Sequence, residues 1–293
     1  MKKHLVVGGV PEHFNMPWHL AIESGFFGNY GLDVDWQDYK GGTGAMCKDL
    51  REKKLDVAVL LTEGIVADII KGNDCKIVQF YIKSPLNWGV HVNANSRYQS
   101  IEDLENSRAA ISRYGSGSHM MAYVMADDMG WNLNDLKFDL VSNIDGGREA
   151  LGNGSSDYFL WEKLTTKPYV DNGEFRKVGI CPTPWSSFVI AVRNDVLEDA
   201  GEHIEALLEA INQSCRQFVK RSDAEEVVAW RYGLKLEDVR EWYLDTEWAL
   251  ESEIDTDHLH LVQERLLQLG RIDHKVDLET LCWNRNLQVN ITL

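Results

Sequence analysis

The sequence predicts an α/β protein of two lobes joined as a clamshell, with a helical C-terminal extension packed on the first lobe. Three observations predict it. Short β-rich runs alternate with helical runs over the first ninety residues, the alternation repeats from about Trp88, and the chain becomes almost wholly helical after Asp195. The chain would enter a second lobe near Trp88 and leave it near Phe188, giving residues 1–87 plus 189–293 as lobe one and 88–188 as lobe two. Two crossings make a hinge.

The elements follow in order. "HLVVGGV" reads as a strand, "NMPWHLAIESGFF" as a helix with Asn15 as cap and Pro17 in its first turn, and "GLDVDWQDY" as a strand. Then come a helix in "TGAMCKDLREKK", a buried strand in "LDVAVLL", a helix in "TEGIVADIIKG" capped by Thr62 and stopped by Gly72, and a strand in "KIVQFYIK". A similar pattern then recurs: "SRAAISR", "LKFDLVS" and "SSDYFLW" read as strands, with helices in "SHMMAYVMADDMG" and "GGREALGNG", and "FRKVGI" with "FVIAVRN" return as strands. The pieces beginning "LDVDWQDYKGG" and "LKFDLVSNIDGG" share one order of strand, Gly-Gly turn, helix, Asp-containing strand and helix, which predicts two lobes of one design. Apolar residues at helical spacing in "HIEALLEAINQSCRQFV", "AEEVVAWRYG", "LEDVREWYLDTEWAL" and "DHLHLVQERLLQLG" supply the C-terminal helices.

Composition narrows the function. A net charge of −16 repels phosphate backbones and anionic membrane surfaces, so nucleic acid is not an expected partner. No apolar run reaches the roughly 20 residues a membrane helix needs, and the apolar segment after Lys2 and Lys3 is only "LVVGGV". Membrane insertion is therefore not expected, and as the sequence stands the expected location is the cytoplasm, or the periplasm if an export signal has been trimmed. The five cysteines (Cys47, Cys75, Cys181, Cys215, Cys282) never form a C-x-x-C pair and are expected as reduced core thiols.

The stretch "SRYGSGSHMM" carries the first candidate site. It lacks the third glycine of a dinucleotide loop, the lysine of a phosphate loop and the spacing of a hydrolase elbow. What remains is a strand end followed by Gly-Ser-Gly-Ser at a helix start, whose free N–H groups suit a polar or anionic group; Ser116 or Ser118 could equally just cap the helix. His119 reads as a solvent-exposed structural histidine. "YKGGTGAM" places Gly42 and Thr43 at a similar junction, and its match in chain position to residues 111–119 suggests two loops closing on one cleft. In "LLTEGI" Glu63 either caps a helix or accepts from an amino or amidine-like group. Phe14, Trp18, Trp88, Tyr114, Trp161 and Trp185 fall on segments brought to the cleft, while Trp36, Trp131, Trp230, Trp242, Trp248 and Trp283 are assigned to cores or surfaces. "DTDHLHL" opens an amphipathic helix with acids as caps, so no metal is expected from Asp255, Asp257, His258 and His260.

Residues 1–195 also carry a resemblance. "AIESGFFGNYGLDVDWQDYKGGTGAMCKDLREKKLDVAVLLTEGIVADIIKG", "SIEDLENSRAAISRYGSGSH" and "SSDYFLWEKLTTKPY" resemble the corresponding blocks of type II periplasmic-binding-protein-like proteins of the nitrate, sulfonate, taurine and thiamine-pyrimidine group. The resemblance implies a type II clamshell binding one small molecule without chemistry or cofactor, as a substrate-binding component whose partner is an ABC-transporter permease. The ligand expected is a thiamine-pyrimidine-like heteroaromatic or a small anion such as a sulfonate. It would be held by Asn15, Trp18, Gly42, Thr43, Glu63, Tyr114, Ser116, Gly117, Ser118, Trp161 and Trp185. The alternative is a biosynthetic enzyme on the same fold, in thiamine or related cofactor synthesis, with His13, His19 or His119 reactive; the cysteine-rich signature of the synthase in that branch is absent.

Overall fold

The computed structural model describes residues 2–283 and residue 285. The chain divides into two units, residues 1–84 with 185–293 and residues 85–184, so the crossings lie three or four residues before the expected ones. Both fall beside proline, at Ser84–Pro85 and Pro184–Trp185. Met1, Asn284 and residues 286–293 of the expected first lobe lie outside the described residues.

Unit one begins with β1 (Lys3–Gly9), α1 (Met16–Glu23), β2 (Leu32–Asp38), α2 (Gly42–Arg51), β3 (Val57–Leu61), α3 (Thr62–Ile70) and β4 (Cys75–Ile82). Unit two comprises β5 (Asn87–Asn93), β6 (Arg108–Ile111), α4 (Gly117–Asp128), β7 (Lys137–Leu140), α5 (Ile144–Asn153), β8 (Tyr158–Glu162), α6 (Lys167–Asp171) and β9 (Phe175–Pro182). The chain then returns to unit one as β10 (Phe188–Arg193), α7 (Asn194–Phe218), α8 (Ala224–Tyr232), α9 (Leu236–Asp245), α10 (Thr256–Gln268) and α11 (Leu278–Leu281).

The sheet of unit one has the order β2-β1-β3-β10-β4, and that of unit two β7-β6-β8-β5-β9. In each, the first two pairings are parallel and the last two antiparallel. The units therefore repeat one topology, with β6, β7 and β8 standing where β1, β2 and β3 stand, and β5 standing where β10 stands. This corrects one expected correspondence. The Gly-Ser-Gly-Ser loop after β6 corresponds to Val10–Asn15 after β1, whereas "YKGG" after β2 corresponds to "SNIDGG" after β7.

Burial explains why these strands form. Every residue of β3 is buried, as a strand covered on both faces requires, and β10 beside it is buried from Phe188 to Val192. α7 packs on α1, while α10 and α11 pack on α3. Residues 247–253 run along the open edge of β4, with Lys83, Phe80 and Ala249 N–H groups donating to Glu247, Glu253 and Tyr81 carbonyls. That covering keeps the edge from pairing elsewhere. All five cysteines are free and buried, and burial pushes the Cys75, Cys181 and Cys282 thiols up to about 12. Among the described residues, no helix is long and apolar enough to cross a membrane.

Candidate functional site

In unit one β1, β2, β3 and β4 all run in one direction, because β10 is antiparallel to both β3 and β4. Their carboxyl ends share an edge with the start of β10. Val10–Asn15, Tyr39–Gly41, Thr62–Glu63, Lys83–Ser84 and Trp185–Ser187 thus gather at the edge where open α/β sheets bind ligands.

Glu63 is the unusual residue there. It lies in the first turn of α3 at 1% exposure, its Oε2 accepts from the Trp185 indole N–H at 2.9 Å, and its Oε1 has no hydrogen-bond partner. Burial pushes its carboxyl up to about 7, with its own backbone N–H and Trp185 acting in the opposite direction. Trp185, itself at 1% exposure, is fixed by the segment that follows it. Ser186 Oγ donates to the Lys83 carbonyl at 2.8 Å and Ser187 Oγ to the Ser84 carbonyl at 2.9 Å. Thr62 does not cap α3; its hydroxyl donates to the Ser186 carbonyl at 2.6 Å. His258 Nδ1 meets Ser186 Oγ at 2.8 Å, and since that hydroxyl already donates, the imidazole is the donor.

Three further expected residues adjoin this edge. Asn15 occupies the N-cap position of α1 without a capping bond; its Nδ2 donates instead to the Val10 carbonyl at 2.7 Å, leaving the buried Oδ1 unpartnered. Gly9 allows this fold-back, since a Cβ there would lie 2.9 Å from Asn15 Nδ2. Gly42 opens α2 at a positive φ of 61°, and Thr43 Oγ1 accepts from the Leu61 N–H at 3.1 Å. The Thr43 hydroxyl thus joins α2 to the end of β3.

In unit two Ser116 caps α4, accepting from the His119 N–H at 3.3 Å. Ser118 Oγ accepts from the Ser112 N–H at 3.0 Å and contacts Ser116 Oγ at 3.1 Å. The hydroxyls therefore tie the loop to β6 and the helix. The amides of Gly117 and Ser118 stand at positions where a helix supplies no carbonyl partner. His119 is buried, contrary to expectation, because its Nδ1 accepts from the Gly115 N–H at 3.0 Å and its ring packs edge-on against Tyr114, Tyr123 and Phe138. The bond places its ring proton on Nε2.

The remaining expected ligand contacts have the following surroundings. Trp18 has no exposure and packs among Phe27, Trp36 and Tyr81, so it is a core residue. Trp161 stacks on Phe159 and packs on the cluster of Ala110, Leu151, Phe159 and Phe175, with one part left at the surface. Tyr114 is 65% exposed. Phe14 is buried, its carbonyl accepting from Tyr81 and Trp248. Of the other tryptophans, Trp242 and Trp248 are core while Trp230 is exposed. Sequence reasoning misses Ser186 and names His258 only in the discounted metal motif; the hydroxyl pair in "TPWSS" directly after the second crossing is the signal for Ser186. At the start of α10 Asp255 accepts from the His258 N–H at 3.0 Å as an ordinary cap. Among the described residues, no group of three or more His, Cys, Asp or Glu is placed to hold a metal ion.

Two units with this repeated strand order define a protein of the periplasmic-binding-protein fold. The family model described as Ca3427-like PBP matches residues 88–181. The structure of the Candida albicans CA3427 gene product, reported as defining a new family with the generic periplasmic binding protein fold, is similar to this chain at a TM-score of 0.90 and 29% identity, covering 98% of each chain. The alkanesulfonate-binding protein SsuA of Xanthomonas axonopodis pv. citri, bound to MOPS, gives a TM-score of 0.81 at 13% identity over 97% of this chain and 99% of its own. The nitrate-binding protein NrtA of Synechocystis PCC 6803 gives 0.74 at 14% identity over 95% and 84%. A search of curated proteins by sequence gave no match.

Proposed function

We propose that this protein binds a small molecule without transforming it, and that Glu63 and Trp185 form the centre of its recognition surface. The observation that carries this reading is the buried Glu63 carboxyl with one oxygen held by Trp185 and the other unpartnered. A buried polar group left unsatisfied costs about 1–3 kcal/mol, and such a cost is retained where a ligand removes it. Asn15 Oδ1 adds a second oxygen of this kind. Within unit two, taken by itself, the exposed Tyr114 and the α4 amides of Gly117 and Ser118 are the proposed ligand contacts. The solute-binding character of SsuA and NrtA supports a small solute, and the sequence resemblance supports a heteroaromatic or a small anion. An ABC permease is the partner this reading adds for an exported chain.

A thermal-shift screen against a library of metabolites tests the proposal. A compound that raises Tm in the wild type and loses most of that effect in Glu63→Ala is the expected result. Hits whose effect survives in Glu63→Ala would place recognition elsewhere.

A further inference from the structure

We propose that the ligand, taken as a small molecule on the reading above, presents a nitrogen-borne hydrogen-bond donor, an amine, amidine or aminoheterocycle, to Glu63 and Asn15, and that unit one excludes oxyanions. The argument lies in which polar atoms at this edge are already used. Several donors at this edge are already engaged: the Trp185 indole on Glu63, the Leu61 amide on Thr43, one of the two Asn15 Nδ2 hydrogens on the Val10 carbonyl, and the Thr62 and Ser186 hydroxyls on carbonyls, while the His13 ring is packed between Phe14 and Trp242. Two atoms left over are acceptor oxygens, Glu63 Oε1 and Asn15 Oδ1, each on a residue at 1% exposure. The indole of Trp18 is an unbonded donor in this part of unit one, and that residue is enclosed with Phe27, Trp36 and Tyr81.

The helix start reinforces this. The N-terminus of α3 would favour an anion, but Glu63 in its first turn, ionised above about pH 7, supplies one from the chain itself. A sulfonate or nitrate brought to the same place would meet a second negative group in a buried setting, where repulsion is weakly screened. A protonated amine or an amidinium would instead gain a charge-assisted bond to Oε1, as short and strong as such bonds are. The desolvation that pushes the Glu63 carboxyl up acts against the isolated anion and would be relieved by a cationic partner.

The test is isothermal titration of the full chain with benzamidine and 4-aminopyrimidine as donor probes, and with MOPS and nitrate as oxyanion probes. Wild type is expected to bind at least one donor probe and neither oxyanion, with donor affinity about tenfold weaker in Glu63→Gln. Glu63→Gln also removes the negative charge, so binding of MOPS or nitrate, absent in the wild type, is expected to appear in it, whereas a merely structural role for Glu63 would leave the variant blind to both kinds of probe. If Glu63→Gln does not fold by circular dichroism, loss of donor affinity in Asn15→Ala and the wild-type selectivity decide the matter. Binding of MOPS or nitrate with the donor probes silent would overturn the donor assignment and leave the small-molecule reading standing. Silence of all four probes beside a library hit that bears no N–H group would overturn it likewise. Silence of the four probes and of the whole library would overturn both.

Discussion

The indole N–H of Trp185 and Oε2 of Glu63 lie 2.9 Å apart across 122 positions of sequence, both residues buried in unit one. The bond joins the first turn of α3 to the segment that re-enters unit one. An indole–carboxylate bond is stronger when the carboxylate is ionised. Trp185→Phe is therefore expected to lower stability by about 1–3 kcal/mol, with the larger loss at pH 8 than at pH 5, measured by urea unfolding at both.

Glu63 itself sets a pH dependence. Its folded carboxyl titrates at about 7 against an ordinary 4.5, so the native chain holds this proton where the unfolded chain has lost it. The associated stability is fully present below 4.5 and is lost as pH rises through 7, by up to about 3 kcal/mol. Glu63→Gln, which cannot ionise, should remove that slope. Parallel urea-unfolding profiles of variant and wild type between pH 4.5 and 8 would contradict this.

His91 acts in the opposite direction in unit two. Burial pushes its imidazole down to about 4, and it sits neutral between the Phe159 carbonyl at 3.3 Å and the Thr166 hydroxyl at 2.9 Å. The unfolded chain takes up this proton first, so stability should fall as pH drops from about 6.5 to about 4. A His91→Gln variant should show a flatter acid limb in circular-dichroism melts.

The contact between α2 and α3 can be tested by a pair of substitutions. A Cβ on Gly64 would lie 2.4 Å from Thr43 Cγ2. Gly64→Ala is expected to cost about 1–3 kcal/mol by overpacking. Adding Thr43→Ser removes that methyl but keeps the hydroxyl that accepts from Leu61, so the double variant should recover most of the loss in a double-mutant cycle.

The alternation of strands and helices sufficed to predict the sheet of unit one, four of the five strands of unit two and the helical C-terminal run, because period and turn residues are local signals, but it missed β5, which lies inside the second sheet. The correspondence of loops was not local. Counted from the start of each unit, "YKGG" and "YGSGS" both follow the second strand, yet β5 lies between β8 and β9 as β10 lies between β3 and β4. Which face of an apolar helix meets the core was also beyond the pattern: Trp18 and Trp185 look alike in sequence, but only Trp185 reaches a carboxylate. Glu63 was identifiable from its position at a strand end and helix start, whereas its unpartnered oxygen depends on a partner 122 positions away.

The most direct test of recognition at this edge is the indole resonance of Trp185 in nitrogen-15 NMR, assigned by its disappearance in Trp185→Phe and followed during titration with a thermal-shift hit. The account predicts that this resonance moves and saturates with the same affinity as binding measured by calorimetry. A ligand that binds to saturation while the Trp185 indole stays unmoved would contradict it.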